Sequence, residues 1–103
     1  MIRHIVALRF RAGTPAQTKA DLYADLAGLD AHIAGILAFH AGPNITTEPL
    51  SRGFDDLFWF DFHDVATRDA YLIHPAHQAI GARIVAETEG GVDGVFVFDI
   101  AVP

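Results

Sequence analysis

Two stretches of this chain, DDLFWFDF (55–62) and VFVFDIAV (95–102), carry large apolar residues on both faces, so neither suits a sheet with one face in water. In the first, Leu57 and Trp59 alternate against Phe58, Phe60 and Phe62; in the second, Val95 and Val97 alternate against Phe96, Phe98 and Ile100. RHIVALRF (3–10) is a third strand, with His4, Val6, Leu8 and Phe10 on one face. ILAFHAGPNI is a fourth, interrupted by Gly42 and Pro43. The sheet these strands form has to be covered on both sides.

Helices between the strands supply one cover. In TPAQ, Thr14 is placed to cap, Pro15 to occupy the first helical position and Gln17 to complete a capping box. Leu22, Tyr23, Leu26, Leu29 and Ile33 then repeat at helical spacing. Later, Asp64 caps a short helix running through Tyr71 and Leu72, and HPAH starts another with Pro75 in its first turn and Ile80, Ile84 and Val85 on its buried side. The order is β-α-β-β-α-β, an α+β ferredoxin-like subunit with its helices on one face. Leu57, Trp59, Phe96, Phe98 and Ile100 remain on the other face, too apolar to leave in water. A second copy of the sheet is the simplest cover, so the expected partner is the chain itself, in a two-fold homodimer forming a dimeric α/β barrel.

Residues 1–103 suit a single domain. With 51% hydrophobic and 19% charged residues and no run of eighteen apolar positions, the chain reads as globular, not disordered or membrane-spanning. A net charge of -6 without a Lys/Arg cluster offers nucleic-acid phosphates nothing to neutralise and repels an anionic bilayer, so neither is an expected partner. The absence of cysteine excludes disulfides, thiolate catalysis and Cys-based zinc sites. MIRHIVALRF keeps a charge at Arg9 and lacks a small-residue cleavage site, which makes the cytoplasm the expected location.

The chemistry-bearing stretch is AYLIHPAHQAIG (70–81). Pro75 forces the chain to restart, leaving His74 near a cap and His77 within the first helical turn. There the positive end of the dipole favours a neutral imidazole, which makes His77 the general-base candidate. His4 enters the same space from the sheet, and Tyr71 contributes a phenol. The expected pocket is walled by Val6, Leu8, Leu22, Tyr23, Leu26, Phe58 and Phe60, with His74 also counted as a substrate contact. The competing reading is structural, since a histidine at a helix start more often caps or packs than catalyses. His32, His40 and His63 lack ligand spacing, and Asp55, Asp56, Asp61 and Asp64 read as acidic turn positions, so no metal is expected. The glycines form no phosphate loop and no serine sits in a nucleophile elbow.

RHIVALRF, GPNI, SRGF, the segment from Phe62 to His77 with its Y-x-x-H-P-x-H core, and the closing VFVFDI together resemble the stress-responsive dimeric α/β-barrel (Dabb) family nearly end to end. The resemblance implies a ferredoxin-like subunit that dimerises through its sheet. In cyclase-like members the working residues are a strand histidine, the motif tyrosine and its second histidine, which match His4, Tyr71 and His77. Where the family often carries a histidine after the Gly-aromatic pair, this chain has Asp55 and Asp56. The expected function is cofactor-free acid/base chemistry on a small apolar keto or phenolic compound, polyketide-cyclase-like or a cofactor-free monooxygenation. The alternative is a non-catalytic stress-responsive or ligand-binding dimeric module. A heme-degrading barrel would need His63 or His40 as a proximal ligand beside an open apolar cavity.

Overall fold

The computed structural model describes residues 1–103. Its elements are β1 (Ile2–Leu8), α1 (Ala16–Ala27), β2 (Ile36–Pro43), β3 (Asp56–Phe62), α2 (Val65–Ile73), α3 (Pro75–Glu87) and β4 (Val95–Ala101), with short 3₁₀ turns after α1 and before β4. The sheet is antiparallel throughout, in the order β2-β3-β1-β4. This is the ferredoxin-like α+β arrangement expected from the element order.

Alternation along the two central strands decides which side the helices cover. His4, Val6 and Leu8 on β1 and Phe58, Phe60 and Phe62 on β3 are buried beneath Leu22 and Leu26 of α1, Tyr71 of α2, and Ile80 and Ile84 of α3. Each of these aliphatic and aromatic side chains contributes about 1.5–3 kcal/mol on burial. On the opposite face Phe96, Phe98 and Ile100 stay 56%, 45% and 51% exposed, beside half-buried Leu57 and Trp59. That face also carries a polar cluster. Arg3 pairs bidentately with buried Asp61 at 2.8 and 3.1 Å and lies 5.4 Å over the Trp59 ring, on which His40 stacks at 4.7 Å.

The start of α1 differs from expectation. Pro15 occupies the N-cap position in extended conformation, without a side-chain cap. Thr14 donates both its N–H and its hydroxyl to the carbonyl of Arg11, at 3.1 and 2.8 Å, and Gln17 donates to Asp21. The tight turn through Gly13, whose φ is +83°, takes up the hydroxyl that the capping box needed. Asp64 does cap α2, accepting from the Thr67 N–H and hydroxyl at 2.8 and 2.9 Å.

The entry to β4 depends on a glycine. A Cβ at Gly94 would stand 2.7 Å from the Glu89 carbonyl oxygen and 2.9 Å from that of Arg9, both backbone atoms that cannot swing away. Gly94→Ala is therefore expected to destabilise the protein by about 1–3 kcal/mol. Urea unfolding measures this, and a midpoint equal to that of the parent chain would contradict it.

Candidate active site

Between the β1–β4 side of the sheet and helices α2 and α3 lies a cavity of about 230 Å³. Its polar lining is His4, Tyr71 and His77; most of its wall is apolar, including Val6, Phe58, Ile84, Val85, Val95 and Val97. Three elements place the polar groups. β1 points His4 inward by alternation, α2 delivers Tyr71 from its last turn, and the Pro75 restart puts His77 at the third position of α3.

The Tyr71 and His77 rings lie 3.9 Å apart between centroids, tilted by 31°, and His4 meets Tyr71 edge-on at 5.5 Å. His77 Nδ1 is enclosed and has no hydrogen-bond partner. Burial holds the His77 imidazole below its usual pKa, and the neighbouring His4 and His74 add to this. The carbonyls of Leu72 and Tyr71 pull the other way without reaching hydrogen-bond geometry. The helix start was the reason given by the sequence for a neutral His77; burial is the larger cause. Tyr71 is 1% exposed, and burial together with the Asp99 carboxylate pushes its phenol above the usual range, so it remains a hydrogen-bond donor.

His4 is tied to two residues that sequence reasoning passed over. Its Nδ1 lies 2.7 Å from Asp99 Oδ1, and the other carboxylate oxygen of Asp99 accepts from Arg68 at 3.3 Å. Since a carboxylate only accepts, neutral His4 carries its proton on Nδ1 and keeps the Nε2 lone pair. The signal was an acid in an otherwise apolar strand: Asp99 shares the helix-facing parity of Val95 and Val97 and stands directly opposite His4 in register.

The expected wall is only partly the observed one. Val6 and Phe58 line the cavity, but Leu8, Leu22, Leu26 and Phe60 are sealed in the core, because α1 packs directly on the sheet and leaves no gap there. Tyr23 packs against Phe58 with ring centroids 6.4 Å apart, its hydroxyl enclosed and unpartnered, outside the cavity lining. His74 also lies outside that lining, its Nδ1 accepting from the Ala76 N–H at 3.1 Å. Of the acids read as turn positions, Asp56 is buried at the start of β3 and ion-paired with Lys19 at 2.9 Å, and Asp61 is held by Arg3.

Comparison with known proteins agrees with this architecture. The model of the stress responsive A/B barrel domain matches residues 2–102. A dimeric ferredoxin-like protein of unknown function from Jannaschia sp. CCS1 superposes with a TM-score of 0.89 at 34% identity, covering 98% of both chains. A stress-response A/B barrel domain-containing protein of Arabidopsis thaliana is 26% identical over 98 residues, 95% of this chain and 86% of its own length. Olivetolic acid cyclase of Cannabis sativa is 24% identical over 80 residues, 78% of this chain and 79% of its own. With a family model spanning nearly all of its length, the chain belongs to the stress-responsive A/B barrel (Dabb) family.

Proposed function

We propose that this protein is a homodimer, joined through the outer face of its sheet, that binds a small, mostly apolar keto or phenolic compound in the cavity. There it performs acid/base chemistry without a cofactor. His77 takes a proton from the carbon next to a carbonyl, while Tyr71 donates a hydrogen bond to the oxygen on which negative charge develops and His4, with its Nε2 lone pair, accepts from a ligand hydroxyl. The observation that carries this reading is the His77 ring itself: kept neutral by burial, with Nδ1 unpartnered, in ring contact with Tyr71 at the wall of an apolar cavity. A neutral imidazole in the cavity lining is placed to take a proton from a bound ligand. The cavity lining contains no Lys or Arg to clamp a carboxylate or phosphate, which favours uncharged ligands. A cyclase among the relatives supports the same class of chemistry, and dimeric solved relatives support the assembly.

The test needs no knowledge of the physiological substrate. In D₂O, the protein should accelerate loss of the α-proton NMR signals of ethyl acetoacetate and acetophenone relative to buffer containing an equal concentration of imidazole. Phenol should compete. If phenol perturbs the cavity resonances but neither ketone exchanges faster than in buffer, the cavity binds ligands without turnover and the catalytic reading fails.

A further inference from the structure

We propose that His74 is a positioning residue that sets the placement of His77 against Tyr71, and that it does so only while its imidazole is neutral. His74 sits where α2 ends and α3 begins, with φ -69° and ψ 129° taking the chain out of the helical path. It makes three bonds there. Its N–H donates to the Tyr71 carbonyl at 3.2 Å, its carbonyl accepts from the Gln78 N–H at 3.0 Å, and its ring Nδ1 accepts from the Ala76 N–H at 3.1 Å. One residue thus joins the last turn of the helix bearing Tyr71 to the first turn of the helix bearing His77. Ala76, whose N–H is capped, immediately precedes His77 and packs against the core.

The ring bond depends on protonation. Serine, threonine and asparagine caps offer an acceptor oxygen at any ordinary pH, whereas an imidazolium has two donors and no acceptor. A protonated His74 would leave the Ala76 N–H unpartnered and place a cation at the positive end of the α3 dipole. The titratable groups set against its ring are His32, from the turn after α1 at 6.5 Å between centroids, and His77 on α3. Both are imidazoles, so neither offsets the added charge. Acid should therefore loosen the first turn of α3 and shift His77 away from Tyr71. The chemical consequence rests on the proposed role of His77, whereas the cap does not.

The experiment follows the Ala76 amide by NMR hydrogen exchange in the intact protein between pH 5 and 8, expressed as a protection factor so that intrinsic exchange divides out. Loss of a cap of ordinary strength should lower protection about fivefold on acidification. His74→Asn, whose amide oxygen accepts at every pH, should abolish this dependence, and His74→Ala should show low protection throughout. In the ketone exchange assay, His74→Asn should show a shallower acid limb than the parent protein, because only one of the two ionisations remains. Protection at Ala76 that does not change with pH in the parent, or that falls equally in His74→Asn, would overturn the proposal. If Ala76 behaves as stated but no variant exchanges ketone protons, the cap assignment holds and the catalytic reading of His77 is what fails.

Discussion

His77→Ala should reduce α-proton exchange by about 10²–10⁴-fold, the usual contribution of a positioned general base, while the protein remains folded. The fold survives because two stability effects oppose one another. Loss of the ring contact with Tyr71 costs about 0.5–1.5 kcal/mol, but removing the enclosed, unpartnered Nδ1 relieves a desolvation penalty of similar size. Exchange kinetics and thermal melting should therefore separate, with a large loss in the first and little change in the second. The reverse, a large stability loss with exchange unaltered, would mean that the ring is structural. The pH dependence has a fixed sign. The folded pKa of His77 is below its unfolded value, so the active neutral base and its stability contribution are both present above the imidazole range. Both are lost as pH falls through the lowered folded value.

Phe98→Asp should separate the proposed homodimer into monomers. Phe98 pairs across the sheet with Ile5 in an apolar face shared with Phe96 and Ile100. A carboxylate buried there without a partner costs several kcal/mol, a weakening of roughly 100-fold or more in dimer affinity. Because Phe98 is already 45% exposed in the single subunit, the folded monomer should lose little. Sedimentation velocity at micromolar concentration reads the outcome directly. A dimer that survives the substitution would show that the subunits meet elsewhere.

Both substitutions concern features legible in the sequence, and the reason is the same. The two-residue period of a strand assigns each side chain to a face. The apolar outer face and the inward His4, Val6 and Leu8 follow from alternation alone, and a proline after His74 marks a helix start in the same local way. The cavity wall was less legible because its depth depends on how closely a helix approaches the sheet. Leu22 and Leu26 lie on the right stripe of α1, but close packing turns them into core beneath the site instead of wall. Thr14 shows local ambiguity: a threonine before Pro15 can cap the helix or close the preceding turn, and Gly13 settles it for the turn. Asp99 was readable as an acid of helix-facing parity, but its pairing with His4 depends on which strand lies beside β1.

The most direct test of the account is an NMR titration of all six histidine rings, with and without phenol. The expected result is a His77 midpoint below the ordinary imidazole value of about 6.5, together with phenol-induced shifts at His77 and His4 and none at His63 or His40. A His77 that titrates as it would in water and does not respond to phenol would contradict the claim that a neutral base lines a ligand-binding cavity.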